Sequence, residues 1–87
     1  PGMRSLREAF EYGVRVTGVT VHLVDRQVDH GPILAQEPVL VRDDDTLEAL
    51  ETRVHEVEHD LYWRTLRDLF AGTFRPDGRR RMIRERA

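Results

Sequence analysis

The stretch Leu47-Glu48-Ala49-Leu50-Glu51-Thr52-Arg53-Val54-His55-Glu56-Val57-Glu58-His59-Asp60-Leu61 decides the architecture. Leu47, Leu50, Val54, Val57 and Leu61 recur at intervals of three and four residues, the spacing of one helix face. Tyr62, Leu66, Leu69 and Phe70 extend the apolar stripe, so a long amphipathic helix is expected over residues 46–71. Asp45 or Thr46 supplies the N-cap, and Gly72 is placed to stop the helix in a left-handed turn. Acids crowd the early turns while Arg64 and Arg67 come late, as the helix dipole favours. A stripe this wide needs more cover than one hairpin offers, which suggests an element of a larger fold.

Outward from that helix, the rest of the chain reads as shorter pieces. Leu6, Ala9 and Phe10 mark a helix over Met3–Tyr12, with Gly13 as its stop. Val19, Val21 and Leu23 alternate with Thr20, His22 and Val24, giving a strand over 17–24. A loop over 25–32 ends at Gly31-Pro32, and a second strand follows over 33–41, with Glu37-Pro38 a candidate break. Arg75-Pro76-Asp77-Gly78-Arg79 is a turn that can join two short strands. Pro1-Gly2 also reads as a turn, and a chain opening in a turn is expected to have sequence before it.

Composition narrows the function classes. The chain has 87 residues, no Cys, and 14 basic against 16 acidic residues, every basic one being Arg. Disulfides and thiolate metal sites are therefore excluded within it. A net charge of −2 argues against nucleic-acid binding, although six Arg cluster after residue 74. No aromatic residue follows Phe74 to provide a stacking surface beside them. No apolar run is long enough for a membrane span, and a soluble cytoplasmic protein is the default expectation.

Two sites invite chemistry. His55-Glu56-Val57-Glu58-His59 matches H-E-x-x-H, the helix motif in which two His share a zinc and a Glu acts as base. The surrounding helix is strongly acidic, and an ordinary solvated face with i, i+4 pairs is the favoured alternative. The second is the loop Asp25-Arg26-Gln27-Val28-Asp29, where a carboxylate at a strand end can reach a cleft. Turn chemistry explains its two Asp equally well. His22 on the preceding strand reads as a hydrogen-bonded structural residue.

Thr17-Gly18-Val19-Thr20-Val21-His22, followed by Val28-Asp29-His30-Gly31-Pro32-Ile33, resembles the phosphoribosylglycinamide formyltransferase family. The resemblance continues through Asp45-Thr46, Arg53, Glu58-His59 and Tyr62, covering residues 1–72, with a weakly matched tail over 73–87. It implies the C-terminal portion of a Rossmann-like three-layer α/β domain: helix, β-hairpin, long helix and short terminal strands. It also implies that an N-terminal half with an Asn-x-His-Pro-Ser motif lies elsewhere, because this chain contains no Asn.

The implied reaction moves a formyl group from 10-formyltetrahydrofolate to the amine of glycinamide ribonucleotide, without a metal. Asp29 takes the position of the family's catalytic Asp, and Asp25, Arg26, Gln27, Val28 and Asp29 that of the folate-binding loop. His55, Glu56, Val57 and Glu58 take that of a ribonucleotide-binding segment, with His22 and Arg4 in supporting places. Arg4 stands where the family usually has His, and His30 where it has a small residue, so Arg4 can pair with Asp29 and lower its pKa.

The implied partners are small-molecule substrates and the N-terminal half, with a homodimer left open. The fragment alone is expected to be inactive and poorly folded. The rivals are a formyltetrahydrofolate deformylase, a small zinc hydrolase, and a non-catalytic helical module that dimerises through the 47–61 stripe.

Overall fold

A computed structural model describes residues 3–23, 31–76 and 82–84, with the side chains of Met3 and Arg4 outside that description. Helix α1 (Met3–Tyr12) leads into strand β1 (Val16–His22), strand β2 (Ile33–Leu40) and helix α2 (Leu47–Phe70). Strands β3 (Phe74–Pro76) and β4 (Met82–Arg84) follow. Each consecutive pair of strands forms its own two-stranded antiparallel sheet. The expected elements are therefore present, with β1 beginning one residue earlier than anticipated. The loop 25–29, His30 and the turn residues 77–79 lie outside the described residues.

The helix ends follow local chemistry. Thr46 is the N-cap of α2, its hydroxyl accepting from the Ala49 amide at 3.1 Å. Gly72 has φ +72°, a left-handed conformation that a side chain would disfavour, and Gly13 ends α1 at φ +95°. The expected break at Glu37-Pro38 does not occur. Pro38 sits within β2 opposite Gly18, where the strands approach closely. A Cβ on Gly18 would lie 3.0 Å from the Glu37 carbonyl oxygen. In a two-stranded sheet each strand has an open edge, so Pro38 can leave an amide out of the ladder without interrupting a neighbour. The ladder does slip between Val21 and His22, which turns the end of β1.

The core forms where α2 crosses the β1–β2 hairpin. Leu50 and Leu61 from α2 meet Val19, Val39 and Leu6, with Val54 and Val57 packed alongside. Leu50 is fully buried. The 47–61 stripe is thus covered inside the chain, so dimerisation through it would require opening the core. Tyr62 and Phe70 do not continue the stripe: they are 48% and 84% exposed. At about 100° per residue, Tyr62 is turned a quarter circle from Leu61 and Phe70 lies on the far side from Leu50. Thr65 takes the buried position instead, its hydroxyl donating to the Leu61 carbonyl at 2.6 Å.

Polar attachments fix the helix on the hairpin. The Arg53 guanidinium donates to both Asp45 carboxylate oxygens, at 3.0 and 2.5 Å, and to the Leu40 carbonyl at 2.8 Å. Asp45 also accepts from the Arg42 amide at 2.7 Å. The Arg53 hydrogen bond first, and the Arg42 amide next, hold the Asp45 carboxyl down at about 2. Farther along α2, Arg64 donates to Glu37 of β2 at 3.0 Å and to Asp60 at 2.8 Å.

Leu50→Ala removes the most enclosed core side chain and should cost about 3 kcal/mol, read as a lowered denaturation midpoint. Asp45 has a folded-state pKa below its unfolded value, so its contribution is whole above pH 4 and fades as pH falls toward 2. The thermal-midpoint gap between the parent and Asp45→Asn should therefore be full at pH 7 and close across that acid window. A gap that stays constant would show the charge to be irrelevant.

Candidate functional site

One flank of α2 faces the end of β1. Four consecutive β1 residues, Val19, Thr20, Val21 and His22, line a groove with His55, Glu58, His59 and Tyr62 of the helix, Val19 and Val21 also packing in the core and the ladder slipping before His22. Those four helix positions are spaced i, i+3, i+4, i+7 and so share one face. The groove between the two elements encloses about 540 Å³, within the range of small-ligand sites. An adjoining depression shares Thr20, His22, His55 and Glu58 and reaches Ser5 and Leu6 in the first turns of α1.

His22 is half-buried at the end of β1. Its Nδ1 lies 3.1 Å from the Leu23 carbonyl oxygen, a group that can only accept. The proton therefore belongs on Nδ1, and the neutral ring presents Nε2 as an acceptor. Opposite it, Glu58 brings a carboxylate to the groove from an exposed helix position. The Leu23 amide donates to the Pro32 carbonyl at 2.9 Å, pairing the residue after β1 with the residue before β2.

The residues singled out from sequence are distributed unevenly. His22, His55 and Glu58 come together in the groove. Val57 packs against the core, and Glu56 faces a separate depression shared with Thr52, His55 and His59. One helix turn cannot present four consecutive side chains to the same cleft. Asp25, Arg26, Gln27, Val28, Asp29 and the Arg4 side chain lie outside the described residues. Among the described residues, no group of three His, Asp or Glu side chains converges as a metal site would require, so the H-E-x-x-H spacing gathers no third ligand there.

Sequence reasoning passed over Thr20 and Tyr62 as groove residues. For Tyr62 the signal was available, since it continues the His55 and Glu58 spacing; for Thr20 it was not, because strand alternation sets it opposite the core-facing Val19 and Val21. Beside the groove His59 and Tyr62 each meet the Trp63 ring edge-on, with centroids 6.2 and 5.7 Å apart. Thr20 is held from the other side by Gln36, whose amide donates to its hydroxyl at 2.9 Å.

Comparison with known proteins now bears on this groove. A family model described as formyl transferase matches residues 1–66. The chain is 44% identical over 69 residues to a phosphoribosylglycinamide formyltransferase of Bacillus subtilis, covering 79% of this chain and 35% of that protein. It is similar in structure to glycinamide ribonucleotide transformylase 1 of Symbiobacterium toebii, with TM-score 0.79 and 40% identity over 97% of this chain and 39% of that one. It is also similar to a formyltetrahydrofolate deformylase of Pseudomonas syringae, with TM-score 0.83 and 26% identity over 95% of this chain and 28% of that one. The chain therefore spans about a third of the length of such relatives.

The His22 geometry makes a direct spectroscopic prediction. Long-range nitrogen–proton correlation of the neutral ring should find the proton on Nδ1. A ring protonated on Nε2 would contradict the bond to Leu23.

Proposed function

Because the chain belongs to the formyl transferase family, we propose that it forms the C-terminal portion of an enzyme that transfers a formyl group from 10-formyltetrahydrofolate to the amine of glycinamide ribonucleotide. The observation that carries this reading is the meeting of His22, His55 and Glu58 in one groove, beside the paired residues Leu23 and Pro32. Glu58 offers an acceptor-only carboxylate, suited to ribose hydroxyls, and His55 extends the same polar wall. Asp29, two residues before Gly31, belongs to the segment that the reading assigns to the reacting end of the folate.

The chemistry divides between this chain and the rest of the enzyme. The amine attacks the formyl carbon, and negative charge develops on the formyl oxygen in a tetrahedral intermediate; its collapse breaks the bond from that carbon to N10 of the folate, the attacking nitrogen losing a proton and the departing N10 taking one up to leave as tetrahydrofolate. Stabilising that oxygen calls for a hydrogen-bond donor and a cation, the roles given to an Asn and a protonated His supplied from outside these 87 residues. Asp29 holds that His in its charged form by opposite charge, so that it can donate a proton. No step in this reaction calls for a metal.

A deformylase reading passes the same formyl group to water. Identity favours the amine acceptor where it is high, at 44% and 40% to two glycinamide ribonucleotide enzymes, while another such enzyme at 28% stands level with the deformylase at 26%. The groove supports it too, since water needs no polar wall to position a sugar.

The test uses the protein completed to the full length of its relatives. It should consume 10-formyltetrahydrofolate only when glycinamide ribonucleotide is present, whereas the 87-residue chain alone should be inactive. Glu58→Gln should raise KM for the ribonucleotide about tenfold, as loss of one charged hydrogen bond predicts, and leave KM for the folate within about twofold. Formate release independent of the amine would establish the deformylase reading instead.

A further inference from the structure

We propose that Arg53 and Arg64 are positioning residues that stop α2 from rolling on the hairpin and thereby hold His55 and Glu58 at the groove; the functional consequence rests on the transferase reading above. Arg53 and Arg64 are eleven residues apart, three helix turns, so their side chains leave α2 within about 20° of each other. Both reach the same strand, β2: Arg53 at the Leu40 carbonyl and Arg64 at Glu37. The groove residues His55, Glu58, His59 and Tyr62 all fall between them along the chain. In azimuth these four lie about 180° from the two Arg, with the core positions Leu50, Val54, Val57 and Leu61 in between.

The helix is thus tethered over β2 on one flank and open to the groove over β1 on the other. The core contacts between the flanks are apolar and non-directional, so they resist separation far better than rotation. The two guanidinium links are directional and are spaced about 16 Å along the axis. Two attachments on one line allow neither a roll nor a swivel without breaking a hydrogen bond. A roll would carry Glu58 and His55 directly across the groove, toward or away from His22 and Thr20.

The Arg64–Glu37 pair is about one-third exposed on both sides, and such pairs contribute little to stability. Its importance is geometric. That distinction makes the proposal testable apart from folding.

The variants are Arg64→Gln, Glu37→Gln, their double, and Arg64→Lys, each in the protein completed to its relatives' full length. Arg64→Gln and Glu37→Gln should each raise KM for glycinamide ribonucleotide about fivefold with kcat within about twofold, and the double should be no worse than either single because both break one link. Arg64→Lys, which retains a cation for Glu37, should stay near the parent. A second readout needs no turnover: in the ligand-free protein, the backbone amide signals of His55, Glu58 and His22 should move in both Gln variants and return in Arg64→Lys. Unmoved amide signals, or KM effects that add in the double variant, would overturn the roll stop. Amide signals that behave as described in a parent showing no use of the ribonucleotide would support the roll stop and overturn the acceptor assignment.

Discussion

The seating of α2 across the β1–β2 hairpin is the constraint on which the rest depends. Burying Leu50 and Leu61 against Val19, Val39 and Leu6 supplies the attraction. It does not by itself choose one orientation, because apolar contact is proportional to area and indifferent to direction. Orientation comes from the polar rim. Thr46 fixes where the helix starts, the Arg53 fork ties its second turn to Asp45 and Leu40, and Arg64 ties its fifth to Glu37. The groove exists because the helix is held in this one pose.

Element boundaries were legible wherever the deciding interaction was local. Gly13 and Gly72 end their helices for a reason contained in their own backbone conformations. The N-cap was ambiguous between Asp45 and Thr46, and the ambiguity had a physical source, since both residues can accept a backbone amide. The structure uses both: Thr46 caps the helix while Asp45 takes the Arg42 amide and the Arg53 guanidinium. A partner eight residues away in sequence cannot be read from a capping rule. Pro38 failed as a strand breaker for a similar reason, because its tolerance depends on Gly18 facing it across the ladder. Tyr62 and Phe70 were miscounted into the core because hydrophobicity was followed where azimuth should have been. The buried place went to Thr65, which satisfies its hydroxyl within its own helix.

The site was legible in a different way. Periodicity placed His55, Glu58 and Tyr62 on one helix face, but it contains no information on which strand residues that face meets, nor on the slip before His22 that turns the end of β1. The motif H-E-x-x-H offered a metal pairing of His55 with His59, against which a solvated helix face was favoured; both His line the groove, and their neighbours across it on β1 are not in the motif. Only the resemblance linked the strand motif to the helix segment before the coordinates did. The loop from Asp25 to Asp29 lies outside the described residues, and its part in the proposed function comes from that resemblance.

The surviving exposed apolar surface fits a division of labour. Tyr12 is 89% exposed, Phe70 84% and Leu40 67%, more large apolar surface than a compact chain usually leaves to water. The chain accounts for about a third of its relatives' length, and these residues flank the hairpin and helix ends rather than the groove. A two-substrate transfer reaction needs walls that approach the reacting carbon from opposite sides. One polypeptide segment can build the side that grips the acceptor, the part the proposed function gives to the groove over β1. On the proposed function, the charge that develops on the formyl oxygen is met from the other side, by the Asn and protonated His that the reading assigns to sequence outside these 87 residues. On that same reading, binding and electrophilic activation are encoded in different stretches of sequence, and a fixed placement of α2 would let the first be specified independently of the second.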